Sequence, residues 1–203
     1  MNTSFLYGAG AAALVVAALV AGDAATAGGR QQVRFERGTF QPVHVAGGGG
    51  STNYVLDYKA VNALDKGVRP GIRLELRTET GKTFGDSYDA GTWRAATKVL
   101  GRKEAPASAA SIRAAELAAG ASADGLANFG AIDPNADTFD VRVYGLWDPV
   151  FRDRQGRSWV ETRVLVLSYS RSGDEYDRQN DRIRLASSKE EIEGEVVQLH
   201  AAK

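Results

Sequence analysis

The sequence predicts an all-β chain, an antiparallel sandwich of immunoglobulin type with about seven or eight strands. It also predicts an Ala-rich, partly helical insertion at about 90–128 and an N-terminal signal helix. Three observations lead there. Apolar and polar side chains alternate in "NYVLDYKA", "IRLELRTET" and "TFDVRVY", the period of strands with one dry face. Turn chemistry in "DKG", "TGK" and "DRQG" separates these runs at short intervals. Nothing in the order of segments has the strand-helix-strand rhythm of a parallel sheet.

Taken in chain order, Phe5 to Gly22 is uncharged and apolar and is followed by "DAATA". Ala25-Thr26-Ala27 fits the small-x-small pattern of a signal-peptidase site, so residues 1–27 read as a signal peptide or a membrane anchor and 28–203 as one domain. "QQVRFERGTFQPVHV" reads as a strand with a bulge, or as two short edge strands, because Gly38 and Pro42 interrupt Val33, Phe35, Phe40, Val43 and Val45. Gly47 to Gly50 cannot hold a regular element without a large entropic cost and is expected to form a loop, native or engineered. The next strand places Tyr54, Leu56, Tyr58 and Ala60 on one side. Ile72, Leu74 and Leu76 line the following one, and "TFGDSY" is its return.

Residues 90–128 then lose the alternation. Pro106 and Gly120 bracket a short helix whose large apolar residues, Ile112 and Leu117, fall about 140° apart at 3.6 residues per turn, so it is expected on the surface with no buried stripe. Alternation resumes with Phe139, Val141 and Val143 pointing inward, and "SWVETRVLVLSYS" becomes continuous enough for a central strand covered on both sides. Two short strands at "RIRLA" and "EVVQL" complete the expected fold.

Composition narrows the chemistry. Twenty-five basic side chains balance twenty-five acidic ones, so the chain offers no long-range field to nucleic acid. With no Cys and two His, disulfides, thiolate metal sites and cysteine nucleophiles are excluded and zinc sites are hard to build. Neither His44, on a strand face, nor His200, near the C-terminus, resembles a general base held in a cleft.

Calcium is the one cofactor the residues suggest. "DPNAD" carries Asp133, Asn135 and Asp137 at the alternate positions that open a calcium loop, although Thr138 and Tyr144 stand where such a loop has Gly and Glu. "GDEYDRQNDRIRL" adds Asp174 and Asp177, but Arg171, Arg178, Arg182 and Arg184 compete for its carboxylates, and a solvated connection between strands is the expected reading. Trp93, Trp147 and Trp159 are the residues that could line a sugar site. A carboxylate-based hydrolase would need two acids converging in one cleft.

The segments "NYVLDYKAVNALDKGVRPGIRLELRTETGKTFGDSYD", "IDPNADTFDVRVYGL" and "RVLVLSYSRSGDEYDRQNDRIRL" together resemble a group of uncharacterised exported bacterial proteins with an immunoglobulin-like β-sandwich domain. The likeness spans about residues 53–185, omitting most of the Ala-rich insertion. It implies an envelope location and a non-enzymatic sandwich, and carries over no catalytic or ligand residue. The expectation is therefore an exported module, periplasmic or extracellular, that binds or scaffolds a protein or glycan of the cell envelope. Membrane contact enters if the N-terminal segment is retained. A calcium-stabilised or carbohydrate-binding domain is the alternative.

Overall fold

The computed structural model describes residues 29–46, 50–173 and 180–199. The expected signal segment, Gly47 to Gly49, Asp174, Asp177 and His200 lie outside the described residues. Strands take 56% of the described residues and helix 10%, in two sheets, so the all-β reading holds. One sheet joins β1 (Val33–Val45), β2 (Ser51–Asn62), β6 (Ser122–Asn128) and β5 (Ala107–Ser108) in the order β1-β2-β6-β5. The other joins β3 (Arg73–Thr78), β4 (Thr83–Gly85), β7 (Thr138–Tyr144), β9 (Ser158–Ser172) and β10 (Arg182–Leu199) in the order β10-β9-β7-β3-β4, and β8 (Val150–Arg152) adds to β9. Every pairing is antiparallel except β5 with β6.

The alternating side chains meet where the two sheets face one another. Tyr54, Leu56, Tyr58 and Ala60 of β2 join Leu74 and Leu76 of β3, Phe139, Val141 and Val143 of β7, and Leu167 and Tyr169 of β9 in one buried cluster. Phe40 sits at its aromatic centre, edge-on to Phe129, Phe139 and Tyr169 with ring centroids 4.8–5.9 Å apart. Its strand is the interrupted one: the β1–β2 register shifts between Arg37 and Phe40, the bulge expected around Gly38.

Three expectations need correction. The stretch 90–128 is part of the fold. Helix α1 (Ala90–Val99) starts on Asp89, whose carboxylate accepts the Thr92 amide at 2.7 Å, and it lies on the outer face of the first sheet. There Trp93 and Ala96 bury Val43, Val55 and Leu126, and the Trp93 indole donates to the Pro106 carbonyl at 2.9 Å.

The short helix α2 (Ala109–Ala114) ends before Leu117, so the angle between Ile112 and Leu117 on a common helix never applies. Ile112 enters the main core from the helix, and Leu117 enters it from a β-bridge to Val68. Residues 122–128 form β6, paired along β2. Finally, "RIRLA" and "EVVQL" belong to a single long strand, β10. It follows β9 through two register shifts, at Leu185/Ser187 and Glu193/Val197, and those bulges break the alternation that would have marked it as continuous.

Tyr58 shows how closely the first sheet is fitted. Its ring stacks on Phe35 at 4.9 Å and spreads across Gly125, the residue opposite it on β6, where an added Cβ would lie 2.2 Å from Tyr58 Cζ. Among the described residues its buried hydroxyl has no hydrogen-bond partner. Gly125→Ala is expected to lower the stability measured by urea denaturation by about 1–3 kcal/mol, because the ring must leave its packing. Tyr58→Phe is expected to leave stability unchanged or raised, since it deletes an unpaired buried hydroxyl.

Candidate functional site

Among the described residues, the expected calcium ligands Asp133, Asn135 and Asp137 are not brought together around a common point. Asp133 is buried in the turn before β7, and both of its oxygens are engaged: Oδ1 accepts the Asn135 amide at 3.1 Å, while Oδ2 accepts the Thr80 hydroxyl at 2.6 Å and sits 3.0 Å from Lys82 Nζ. The Thr80 and Lys82 hydrogen bonds, then the Asn135 amide, hold its pKa down to about 2. A lysine ammonium thus takes the place beside this carboxylate that a cation would occupy. Asn135 and Asp137 are exposed, and Asp137 is tied through its backbone, its amide donating to Glu79 Oε1 at 2.5 Å. Among the described residues no group of three or more His, Asp or Glu side chains is placed to hold a metal ion. The three tryptophans are scattered as well. Trp93 is buried under α1, Trp147 bridges Gln31, and the Trp159 indole donates to Asp153 at 3.1 Å.

The two acidic stretches do meet, at a cation. Arg171, at the end of β9, has a fully buried side chain 3.5 Å from the equally buried Asp181 carboxylate, which precedes β10. The Tyr54 hydroxyl, from the opposite sheet, donates to Asp181 and accepts from Arg171 Nη1 at 3.0 Å. Arg171 Nη2 donates to the carbonyls of Asp133 at 2.8 Å, Pro134 at 3.1 Å and Ala136. Burial, then the hydrogen bond to Asp181, pushes the Tyr54 hydroxyl up to about 12. Arg171 was expected to compete for carboxylates in a solvated loop; instead it and Asp181 form a dry pin that fixes the 133–136 turn and ties the two sheets together.

The site best equipped for recognition lies elsewhere, along the seam where the β3–β4 edge of one sheet meets α2 and β6 of the other. Asp86 makes the crossing. Its amide donates to Leu74 of β3 at 3.3 Å, its Oδ1 accepts the amide of Asn128 at the end of β6 at 2.8 Å, and the next amide, Ser87, donates to the Asn128 carbonyl at 2.9 Å. Around it opens a groove of about 480 Å³ lined chiefly by Arg73, Glu75, Asp86, Arg113 and Tyr144.

Arg73 stacks on the Tyr144 ring at 4.2 Å and lies 3.8 Å from Glu75. Glu75 takes the Arg77 Nε at 2.6 Å, and Arg77 also reaches the Tyr144 hydroxyl at 3.3 Å. Arg113 is steered by α2 so that Nη1 donates to the Ile72 carbonyl at 2.9 Å. Burial raises the Asp86 pKa, against the lowering effects of the Asn128 amide and the Arg113 charge. The groove therefore presents two guanidiniums and two carboxylates, one of which holds its proton more tightly than usual. Such a volume falls in the range of small-ligand sites, and the mix of signs suits a ligand with both donors and acceptors.

Sequence reading selected none of these groove residues, because they come from four segments far apart in the chain. "TFGDSY" contained one signal, an Asp directly after a strand that is otherwise turning back. Compared with known protein families, curated proteins and solved structures, the chain matches none.

Arg171→Met removes a buried guanidinium from beside Asp181 and from three carbonyls in a dry site and is expected to cost about 3–5 kcal/mol in urea denaturation. Asp86 behaves in the opposite sense. Its folded pKa lies above the unfolded value, so the folded state binds the proton more tightly and stability falls as pH rises past the ordinary value of 3.8. Asp86→Asn keeps an acceptor for the Asn128 amide and is expected to melt higher than the parent near pH 7, the difference closing toward about pH 3, where both groups are neutral. Paired melting curves across that range check this.

Proposed function

We propose that this chain is a non-enzymatic, exported sandwich module of immunoglobulin-like type that binds or scaffolds another component of the cell envelope. The seam groove carries this reading. Its charged groups are held in place by one another and by the backbone: Glu75 by Arg77, Asp86 by the Asn128 amide, Arg113 by the Ile72 carbonyl and Arg73 by the Tyr144 ring. Groups fixed in this way arrive at a ligand already ordered, which lowers the entropic cost of binding. The apolar segment Phe5 to Gly22 with its small-x-small sequence supports export, and the resemblance to exported sandwich proteins supports the fold type.

A carbohydrate-binding reading has its own observation. Tyr88 is 67% exposed, and its ring lies 4.8 Å from that of Trp93. It borders a second hollow, of about 620 Å³, lined also by Arg94 and Thr97, so an aromatic face stands beside polar groups as sugar recognition requires.

One set of arrays separates these readings. The full chain, an Arg73→Ala/Arg113→Ala double variant and Tyr88→Ala are applied to peptide and glycan arrays. Binding that falls tenfold or more in the double variant alone is the expected result, and loss confined to Tyr88→Ala transfers the function to the aromatic hollow. Turnover of a hydrolase substrate panel, abolished by Asp86→Asn, would replace the binding module with an enzyme using Glu75 and Asp86.

A further inference from the structure

The apolar side chains that the fold leaves in water are gathered at one end. Among the described residues seven large hydrophobics are exposed, and five of them, Val150, Ile192, Val196, Val197 and Leu199, sit on β8 and the last part of β10. The register explains the patch. Val150 of β8 stands opposite Val160 of β9, which stands opposite Val197 of β10, so three valines form a row across three strands on one face. The next row on that face, Arg152, Ser158 and Leu199, lies two residues closer to the hairpin tip. Phe151 and Trp159, half-buried, pair between these rows with their side chains on the opposite face, the face on which Ile192 also lies. The tip itself carries Arg152, Arg154 and Arg157 against a single carboxylate, Asp153, which Arg157 already holds at 2.6 Å.

The chain also enters the fold here. The Gly29 amide donates to Glu161 of β9 at 3.0 Å, and the Asp148 amide donates to the Arg30 carbonyl at 2.9 Å, beside β8. Between Gly29 and the apolar run ending at Gly22 stand Asp23 to Gly28, a connection that spans at most about 25 Å even when extended.

We propose that this β8–β9–β10 end is a lipid-contact surface that lies against the headgroup layer of a membrane containing anionic lipid. A valine row with Leu199 beside it on one face, half-buried aromatics on the other and arginines at the tip are the composition of a hairpin end that enters a membrane interface, where apolar side chains meet the acyl boundary while guanidiniums meet phosphates. The short connection to Phe5–Gly22 keeps this end near any bilayer that segment engages, which raises the effective concentration of an otherwise weak contact. The proposal rests on the envelope location proposed above, but the following measurement does not depend on export.

The chain has no native Cys, so single cysteines can carry a polarity-sensitive fluorophore in the full-length protein. Gln155→Cys places it at the tip and Val197→Cys in the valine row. Asn135→Cys places it in the exposed turn packed against Arg171, at the far end of β9. With vesicles of phosphatidylglycerol and phosphatidylethanolamine, the 155 and 197 probes are expected to shift to the blue and the 135 probe to stay. The shift is expected to weaken with salt, to be smaller on phosphatidylcholine, and to disappear from the 155 probe in a Val150→Asp/Leu199→Asp background that still floats with vesicles through Phe5–Gly22. Vesicle binding with the 155 and 197 probes unshifted would overturn the proposal, leaving the N-terminal segment as the sole contact. A 197 shift that tracks protein concentration without lipid would overturn it in favour of a second copy. Failure of the export reading is seen separately, by cell fractionation.

Discussion

A guanidinium taken fully out of water needs acceptors for its donors and a counter-charge for its cation, and Arg171 finds at one place the counter-charge and acceptors for both terminal nitrogens, while its Nε stands 3.5 Å from the Asp181 carboxylate without a hydrogen bond among the described residues. The carboxylate comes from the segment entering β10, the hydroxyl from β2 of the facing sheet, and three carbonyls from the turn before β7. None of these segments can move away without costing the buried guanidinium its counter-charge or a hydrogen-bond partner, a penalty larger than that of losing an exposed ion pair. The apolar layer between the sheets is non-directional and would tolerate sliding. The polar pin at its end is directional, and it selects one relative placement of the two sheets. The acidic turn that looked like an ion-binding loop has its shape because its carbonyls serve this arginine.

The seam groove follows from the same layered construction. A sandwich closes its middle but leaves its edges open, and open strand edges must be covered or occupied. Here the crossing at Asp86 satisfies the end of β6 with one carboxylate and one backbone contact and holds β3 with another, so the two sheets are stitched at the rim while a hollow remains beside the stitch. The desolvation that makes Asp86 reluctant to ionise comes from its place at this junction. Arg113, on a helix of six residues, lies within the field of that carboxylate while its own hydrogen bond goes to a backbone carbonyl. The groove's polarity is thus a product of how the edge was closed.

Most of the sandwich was legible because its strands are half wet: Leu74 and Leu76, or Phe139, Val141 and Val143, announce their inner face by alternation alone. Segments covered on both faces, or irregular, were not legible. In β6 the sequence "SADGLAN" shows no alternation because Leu126 faces α1, Ala127 faces the core, and Gly125 is kept bare by the ring of Tyr58. Helix α1 did have readable ends, Asp89 as its cap and Gly101 at positive φ just beyond Leu100, but its apolar face is carried almost entirely by Trp93 and Ala96. The candidate site was the least legible part. Arg73, Asp86, Arg113 and Tyr144 share no spacing or motif, and only the folded edges bring them together. Arg171 shows the limit from the other side, since composition near it suggested a wet loop while its guanidinium is dry.

Helix α1 also changes the architecture locally. Where it lies over Val43, Val55 and Leu126, the molecule has three layers, and β2 passes through the middle one with both faces dry around Val55, before its outer face returns to water at Lys59. A strand enclosed in that way can be reached by solvent only after an outer layer lifts, and α1, anchored by one indole and a handful of small side chains, is the cheaper layer to lift. The first opening of this protein would therefore be a peeling of its rind, with the two sheets still closed beneath.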